Sequence, residues 1–532
     1  MMSQQFTNQK NANLTNDKAF KIVILGGGTA GWMTANLMAK AWPKDKVEIT
    51  LVESPQIGTI GVGEGSTPHL KSFFDKISVT ESDWMPACNA TYKNGIRFEN
   101  WSTKPGFTSY FHPFTSLIDA HTAPAFTYNS IFRRRGIDVD SHPDRFFLSA
   151  ALANNQQVPI GNSNFPFDIS YGYHFDAVLL GQFLAKVAKK NAVKRIQATV
   201  ENVEIREKND VGHSFFCGDI SSLQLDNGQI ITGDLFIDCS GFKSLLLQES
   251  LKVPFISFAS NLFNDSAVTI AIPRDDSIAK INSQTTSTAM KYGWAWDIPL
   301  VNRTGNGYVY SSKYCSKDTA EQELRAKLGA CSDGIEAKHL NMKVGRVEKH
   351  WHQNCVAIGL SQGFIEPLEA TALHFVQETI EQLIENLDRN AFTRTEQDLF
   401  NNKINDRFEG IRDYIVAHYR LSSREDSQYW RDNSENPNIS NNLKRIVQSW
   451  VKGEDLNQTL VKSGVVSFYP PISWHAILAG YGVFPPISNL NCHDSMANKY
   501  DLEHIDQFVE RCSRNFKDHF SFLKQRGKES GY

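Results

Sequence analysis

The sequence feature that most constrains the fold lies near the start of the chain. An apolar run, KIVILGGG, is followed by TAGWMTANLMAKAW, whose apolar residues recur at helical spacing, and then by KVEITLVES. These patterns predict a strand, a helix and a second strand. We therefore expect the folded chain to begin at about Phe20 with a βαβ unit.

The turn between the first strand and the helix has the composition of a dinucleotide-binding loop. Its G-x-G-x-x-G motif consists of Gly26, Gly28 and Gly31, with the small residues Thr29 and Ala30 between them. Glycine at these positions lets backbone amides and the helix N-terminus face a pyrophosphate without obstruction by side chains. A glycine-rich turn without a ligand is the alternative, and the complete βαβ context favours the binding site.

Glu53 ends the second strand, where an acidic residue accepts hydrogen bonds from the ribose hydroxyls of an adenosine. The fingerprint alone does not distinguish FAD from NAD. The later segment GDLFIDCSGF recurs in FAD enzymes of this architecture, and no second G-x-G-x-x-G follows a strand. The sequence therefore favours FAD and shows no built-in NAD(P)H site.

Length, charge and cysteine pattern exclude several classes of protein. With 532 residues, 41% of them hydrophobic, the chain can bury an enzyme-sized core. Its formal net charge of -3 provides no basic excess, so nucleic acid is not an expected partner. No long uncharged apolar run predicts a membrane span, and we expect a cytoplasmic protein without membrane contact. Reduced thiols and no metal site are expected because none of the eight cysteines forms a C-x-x-C pair: Cys88, Cys217, Cys239, Cys315, Cys331, Cys355, Cys492 and Cys512.

The pattern along the rest of the chain predicts a mixed α/β protein. Residues 1–19 are polar and are expected to form a disordered tail. Residues 55–160 are rich in aromatics and turn residues, and helices are expected there in HLKSFFDKIS and ESDWMPACNATYKNGI. Strands are expected in RIQATVENVEI, SSLQLDNGQIITGDLFIDCSG, SAVTIAIP and YVYSS, and the pattern after Glu366 is mainly helical.

A set of motifs gives the chain a family resemblance. The segment GWAWDIP contains Trp294, Trp296, Ile298 and Pro299 in the arrangement W-x-W-x-I-P, which is the signature of the flavin-dependent halogenases. The similarity continues, in family order, through GGGTAGW, GVGEGSTP, CNATYKNGIRFENW, YGYHFD and GFIEPLEATALHFVQ. The chain thus resembles the tryptophan-halogenase type of flavin-dependent halogenase over most of its length.

The resemblance implies a fold and a reaction. The fold would be a FAD-binding Rossmann-like three-layer domain of the flavin monooxygenase type, with a β-rich substrate layer and a helical C-terminal cap. Residues 20–390 would form the body and residues 391–532 the mainly helical cap. Reduced FAD (FADH2), dioxygen and chloride or bromide would give hypohalous acid, which passes down a tunnel to an electron-rich aromatic, preferably an indole. A separate flavin reductase would supply FADH2, and a homodimer is compatible with the sequence.

Two residues match the catalytic positions of the family. Lys93, in TYKNG, matches the tunnel lysine, whose ammonium can hydrogen-bond hypohalous acid or whose amine can become a haloamine. A solvated lysine on a helix surface is the alternative reading. Glu369, in PLEAT, matches the glutamate that orients the halogenating species or receives the proton lost when the ring regains aromaticity.

Further positions match the family's halide and flavin contacts. Thr371 and Ala372 match the positions whose backbone amides bind halide, although Ala370 and Ala372 stand where the best-known members have Ser and Gly. An alanine retains backbone donation unless its position needs a positive φ. Contacts to the flavin are implied for Gly63, Glu64, Leu360 and Leu373.

The expected substrate side combines the tunnel wall with an aromatic clamp. Trp294 and Trp296 match the wall that separates substrate from flavin, and ordinary core packing is the alternative. His112 and Phe114 match the clamp that stacks on an indole.

The segment that holds free tryptophan in some family members differs in this chain. Gly464 stands where those members have a Glu, and Phe468 and Tyr469 replace their Phe-Trp pair. The expected partner of an amino-acid ammonium group is therefore missing, and the sequence favours an indole or indole derivative.

Three other functions remain as alternatives. A flavin-dependent aromatic monooxygenase would share the fold but would hydroxylate its substrate. A FAD-binding protein without turnover would retain the fold and lose the reaction. An NAD-linked dehydrogenase would need a nicotinamide site, which the sequence does not show.

Overall fold

The computed structural model describes residues 18–56, 58, 63–207, 217–275, 277–487 and 499–529. Most of the expected disordered tail, residues 1–17, therefore lies outside the described residues. So do Cys492 and the first two residues of GVGEGSTP, Gly61 and Val62. The seven described cysteines are free thiols.

The chain forms strands and helices in alternation, with helices predominating after residue 371. The strands are β1 (Phe20–Leu25), β2 (Val47–Glu53), β3 (Glu64–Gly65), β4 (Thr91–Lys93), β5 (Gly95–Glu99), β6 (Ser109–Pro113), β7 (Gln157–Gly161), β8 (Gly172–Phe175), β9 (Lys194–Gln197), β10 (Val200–Ile205), β11 (Ile220–Leu225), β12 (Ile230–Ile231), β13 (Leu235–Asp238), β14 (Phe255–Ser257), β15 (Ser266–Pro273), β16 (Thr285–Met290), β17 (Gly293–Pro299), β18 (Arg303–Tyr310), β19 (Lys338–Asn341), β20 (Gly345–Val347), β21 (Trp351–His352), β22 (Cys355–Ala357), β23 (Gly363–Phe364) and β24 (Phe516–Asp518). The helices are α1 (Thr29–Ala41), α2 (His69–Lys76), α3 (Glu81–Trp84), α4 (Ala123–Arg133), α5 (Leu148–Asn154), α6 (Ala177–Lys190), α7 (Lys317–Leu328), α8 (Ala372–Arg389), α9 (Gln397–Leu421), α10 (Gln428–Ser434), α11 (Asn441–Val451), α12 (Leu456–Lys462), α13 (Pro471–Gly480), α14 (Leu502–Ser513) and α15 (His519–Glu529).

The nucleotide-binding part is built on a six-stranded sheet in the order β21-β22-β13-β1-β2-β9. All of its neighbouring pairs are parallel except β21 with β22. Because side chains alternate along a strand, Ile22 and Ile24 pack into the core that contains α1, while Val23 and Leu25 pack against the sheet β10-β11-β12. The sheet is therefore covered by helices on one face and by strands on the other, and the predicted three-layer fold is confirmed.

A second, seven-stranded sheet has the order β19-β15-β18-β17-β16-β5-β6. On β17, Ala295 faces a small core formed with Leu324 of α7, whereas Trp294 and Trp296 face the main core. This sheet is the β-rich layer that the sequence predicts, and its main-core face carries the W-x-W-x-I-P signature.

One predicted helix is wrong. ESDWMPACNATYKNGI is helical only over α3 and a short 3₁₀ turn at Pro86–Cys88, after which the chain forms β4 and β5. Asn89 adopts a left-handed backbone with φ of 50° and ends the helical course. Lys93 therefore lies on a strand, and the stretch from residue 55 to 160 contains several short strands rather than mostly irregular chain.

The part of the chain after residue 390 consists of helices α9 to α15, apart from β24, which pairs with β7 of the body. This helical character agrees with the pattern after Glu366, while the division into body and cap stays a prediction. Among the described helices, none combines the length and the apolar composition needed to cross a bilayer.

Asp238, at the end of β13, holds the loops around the nucleotide-binding edge of the first sheet. Its buried carboxylate accepts hydrogen bonds from the backbone amides of Leu246 and Leu247, both at 2.9 Å. It also accepts from Ser240 and, at 3.1 Å, from the hydroxyl of Ser361. One carboxylate thus ties together three separate turns.

Replacing Asp238 tests how much its hydrogen bonds contribute to the stability of the fold. Asp238→Ala leaves at least two buried backbone donors without their acceptor, and each such loss costs about 1–3 kcal/mol. We expect the thermal denaturation midpoint to fall clearly below that of the wild type, and Asp238→Asn, which keeps one carbonyl oxygen, to fall less. The exposed Asp333→Ala is the matched control, and equal midpoints for the two alanine variants would contradict the assignment.

Candidate active site

The loop after β1 forms an open cradle at the start of α1. Gly26 has φ of 115°, and a Cβ there would lie 2.2 Å from the carbonyl oxygen of Cys239. Gly28 precedes α1 with φ of -74°, and no described atom lies within 4 Å of the place where its Cβ would be. No described side chain caps the first turn of α1, and that turn contains no acidic residue. The exposed amides and the helix dipole suit an anion at this point.

Three further predicted flavin residues lie around this cradle or beside it. Glu53, at the end of β2, folds its carboxylate against Gly27 and pairs with Arg195 on β9. The turn that contains Leu360 lies on the other side, since a Cβ on Gly359 would be 2.7 Å from that of Ala30. Leu373 is buried in the first turn of α8.

The segment Gly63–Gly65 connects the end of β17 with Lys93. Gly63 has φ of 80° and lies against Ile298 and Leu300 at the end of β17. Burial raises the pKa of Glu64 to about 7, and the nearby charge of Asp176 adds to that shift. A Cβ on Gly65 would lie 3.2 Å from Lys93 Nζ, so glycine leaves room for the amine.

Lys93 is fully buried on β4. Its Nζ has no hydrogen-bond partner in the part of the chain that the structure describes, and it lies 5.4 Å from the centre of the Phe114 ring. Burial lowers the pKa of Lys93 to about 7, and the charge of Glu369 opposes that shift. The surface-lysine alternative is therefore wrong, because a surface amine would be solvated.

Glu369 lies in the turn before α8 and is also buried. Burial raises the pKa of its carboxyl group, while His112 and Lys93 lower it. Thr371 is the N-cap residue of α8 and Ala372 is its first residue, so their amides have no acceptor within the helix. A positive φ is found at Ala370, with 54°, and not at Ala372, so alanine at 372 imposes no backbone strain on the amides.

The two tryptophans of β17 form a buried wall, with 5.9 Å between their ring centres. The indole N–H of Trp294 donates to Glu366 Oε2 at 2.8 Å, and Asn264 and Tyr419 donate to the same oxygen. The motif that contains Glu366 was recognised in the sequence, but Glu366 itself was not predicted as a site residue. This carboxylate fixes the orientation of Trp294.

The predicted substrate residues are only partly brought together. His112 couples electrostatically to Glu369, and its Nε2 lies 2.9 Å from Ser473 Oγ. Tyr469 stacks on Tyr414 with 3.6 Å between ring centres and also couples to Glu369. Phe468 instead packs against Gly410 and Arg407 of α9.

Comparison with known proteins decides the family. The model of the tryptophan halogenase family matches residues 21–496. The 7-chloro-L-tryptophan 6-halogenase KtzR of Kutzneria sp. (strain 744) is 35% identical, with 95% of this chain and 99% of that relative covered. The chain belongs to the tryptophan halogenase family.

Solved structures agree with this assignment. The tryptophan 6-halogenase SttH from Streptomyces toxytricini matches with a TM-score of 0.81 and 34% identity, covering 95% of this chain and 99% of that one. BrvH, a flavin-dependent halogenase from Brevundimonas sp. BAL3, matches with a TM-score of 0.79 and 31% identity over 96% and 100% of the two chains. The protein is therefore a flavin-dependent halogenase, and the hydroxylase alternative is not favoured.

The structure of this halogenase adds a residue that sequence reasoning missed. His418 of α9 is fully buried, and its Nε2 lies 2.8 Å from Glu369 Oε1. Its Nδ1 lies 2.7 Å from the hydroxyl of Tyr481. Burial holds the pKa of His418 well below its usual range, so the imidazole is neutral, and its contact with Oε1 does not have hydrogen-bond geometry. Nothing in the helical pattern of α9 marks this histidine as different from a core residue.

The two glycines of the cradle separate a folding effect from a binding effect. Gly28→Ala fits the local backbone, but its methyl group would project into the space suited to the pyrophosphate. We expect an unchanged denaturation midpoint and FAD binding weakened by about tenfold or more, equivalent to ~1.4 kcal/mol. Flavin-fluorescence titration measures the affinity.

Gly26→Ala is the comparison variant for this experiment. Its Cβ would clash with Cys239 and its φ is unfavourable for alanine, so we expect a lower denaturation midpoint even without flavin. If Gly28→Ala bound FAD as tightly as the wild type, the cradle would not be the pyrophosphate site.

Proposed function

We propose that this halogenase uses reduced FAD, dioxygen and chloride or bromide to halogenate an uncharged, indole-type ring. The observation that carries the proposal is the burial of the Lys93 amine within electrostatic range of the Glu369 carboxyl group. When bound, reduced FAD supplies the electrons with which dioxygen and halide form hypohalous acid. The loop from Gly26 to Gly31 and Glu53 are the residues that would hold the cofactor.

Lys93 delivers the halogen in the proposed mechanism. With a pKa near 7, the group exists as both ammonium and amine at neutral pH. The ammonium can donate a hydrogen bond to hypohalous acid. The amine can exchange one N–H hydrogen for halogen with release of water. As a ring carbon attacks the halogen, the electron pair of the N–halogen bond stays on nitrogen, which takes up the proton that the ring loses by way of Glu369.

Glu369 receives the proton that the halogenated ring carbon loses. A carboxylate in an apolar setting is a stronger base than one in water, and burial raises the pKa of Glu369. The neutral imidazole of His418 lies 2.8 Å from Oε1 on the side of α9, without hydrogen-bond geometry between the two atoms. The amides of Thr371 and Ala372, two and three residues along the chain, are the donors proposed for halide.

The groups around Glu369 favour an uncharged substrate. Tyr110, Tyr414 and Tyr481 all couple to Glu369, and burial holds their pKa values well above the ordinary range. Arg407, which couples to Tyr469, is already paired with Glu378 at 2.8 Å. The surroundings thus offer hydroxyl groups and ring faces to the substrate, and a buried ammonium or carboxylate without a partner is costly.

KtzR is named as a 7-chloro-L-tryptophan halogenase and SttH as a tryptophan halogenase, whereas this chain has Gly464 at the position of the expected ammonium partner. We infer a substrate without the amino-acid head group. A separate flavin reductase is the proposed source of reduced FAD.

Replacing Lys93 by methionine, which has similar length and no amine, tests the delivery role. We expect halogenated product to fall below about 1% of wild type, because nucleophilic or general acid–base groups contribute typically 10²–10⁴-fold. Oxidation of halide should persist, so that a soluble trap captures the hypohalous acid that escapes. Mass spectrometry measures the amounts of the halogenated aromatic product and of the halogenated trap.

Lys93→Arg is the matched control, since it retains a positive charge but not an amine with a pKa near 7. It should resemble Lys93→Met. Full halogenation by Lys93→Met would show that hypohalous acid reaches the ring without this residue.

A substrate series tests the preference for an uncharged ring. We expect kcat/KM for 3-methylindole to exceed that for tryptophan by at least about tenfold, or ~1.4 kcal/mol. Tryptamine and indole-3-propionate separate the effect of the ammonium from that of the carboxylate. A higher kcat/KM for tryptophan than for all three analogues would contradict the inferred substrate class.

A further inference from the structure

The strand that carries Lys93 lies at the end of its sheet. The order of that sheet is β3-β8-β4, so among the described residues β4 has a strand neighbour on one side alone. The residues beside Lys93 are nevertheless fixed. Thr91 Oγ1 donates to the carbonyl oxygen of Pro299 at 2.7 Å, and Asn94 Nδ2 donates to that of Gln157 at 2.9 Å.

The backbone of Tyr92 is held by a side chain from the far end of the sequence. Its amide donates to Nε2 of His519 at 3.1 Å, and both residues are fully buried. Nδ1 of His519 lies 3.1 Å from the carbonyl oxygen of Ile281, so Nδ1 carries the hydrogen and Nε2 accepts. Burial lowers the pKa of His519 to about 4, which keeps this acceptor available at neutral pH.

Helix α15, which begins at His519, also helps to hold the side chain of Tyr92. Its hydroxyl donates to Glu81 Oε2 at 2.7 Å, and Arg526 of α15 donates to the same oxygen at 2.8 Å. Tyr171 and Tyr173 donate to the other oxygen of Glu81. Tyr92 is therefore fixed at both its amide and its hydroxyl with the help of α15.

The third connection runs through β24. Asp518 is opposite Gln157 in the β24–β7 pair, and Gln157 Nε2 donates to the carbonyl oxygens of Ser513 and Phe516. Gln157 in turn accepts from Asn94. Both neighbours of Lys93 thus depend on residues 501–529, which lie beyond the family match that ends at residue 496.

We propose that His519 is a positioning residue for Lys93, and that the segment Asp501–Glu529 is a clamp that fixes β4 in place of a missing strand neighbour. Side chains of successive residues on a strand point to opposite faces, so the clamp acts behind the amine and does not contact the substrate. The inference rests on the proposed delivery role of Lys93.

The groups around the amine explain why a small shift of β4 matters. Glu369 and His174 are the titratable groups that couple to Lys93, and Thr285 and Phe114 lie beside it. A misplacement of about 1 Å in such a site can cost roughly 10²-fold in rate. Loosening the clamp should therefore divert hypohalous acid from the ring without stopping its formation.

The test compares His519→Ala with His519→Gln in the full-length enzyme. Gln can still accept from the Tyr92 amide through Oε1 and donate to Ile281 through Nε2. We expect His519→Ala to lower the halogenation kcat by about ten- to hundredfold at unchanged KM for the aromatic. Trapped hypohalous acid should rise correspondingly, total halide oxidation should stay constant, and His519→Gln should restore most of the product.

Amide hydrogen exchange of the peptide Thr91–Asn94 gives a readout that does not need activity. Exchange should be faster in His519→Ala and close to wild type in His519→Gln. The matched control is His504→Ala, an exposed histidine of the same segment, which should change neither exchange nor product. If His519→Ala does not fold, Arg526→Gln is the second variant, because it loosens Tyr92 at its hydroxyl. It should also raise the ratio of trapped hypohalous acid to halogenated product.

Unchanged exchange in His519→Ala would overturn the clamp, and faster exchange with an unchanged product-to-trap ratio would overturn the positioning of Lys93. Failure of the proposed function is a separate result, because it would appear as full halogenation by Lys93→Met whatever the exchange data show.

Discussion

The site depends on one costly feature, an amine buried where water does not solvate it. Taking a polar group out of water without a hydrogen-bond partner costs about 2–7 kcal/mol, and a charged group costs more. For Lys93 part of this cost is visible as the fall of its pKa to about 7. The fold offsets the cost elsewhere, with an extensive apolar core and with saturated polar clusters such as the one around Glu81. Perturbed groups of this kind are typical of functional sites.

The buried amine lies where segments from distant parts of the chain meet. The segment Gly63–Gly65 passes from the end of β17 to Lys93, and the turn before α8 brings Glu369 from almost three hundred residues away. The loops on the cofactor side are tied to Asp238 and those on the substrate side to α9. Short segments therefore place the amine close to the end of β17 and within electrostatic range of Glu369.

The elements that sequence reasoning predicted correctly are those with a strong local pattern. The βαβ unit, β15 and α8 each have a clear period and end at recognisable residues, so their positions follow from the chain itself. The short strands β4 and β5 were missed because they exist through pairing with β8 and β16, far along the chain. The burial of Lys93 and the contacts of His418 and His519 depend on the same long-range packing. A histidine in a helix gives no local sign that it will face a carboxylate or a backbone amide.

The pKa shifts of Lys93 and Glu369 have the directions expected for a catalytic cycle in which both groups regain their starting protonation states. Burial lowers the pKa of the Lys93 ammonium and raises that of the Glu369 carboxyl group, so the two values approach each other. A smaller difference between the two pKa values lowers the free-energy difference for proton transfer between the groups. In the proposed mechanism, attack on the halogen makes the ring cationic, and the buried carboxylate of Glu369 both stabilises that charge and takes the proton. The surrounding tyrosines and His418 stay neutral, so they carry no net charge that would cancel the electric field of Glu369. The proton can then pass from Glu369 to the lysine nitrogen, so that carboxylate and amine are ready for the next molecule of hypohalous acid.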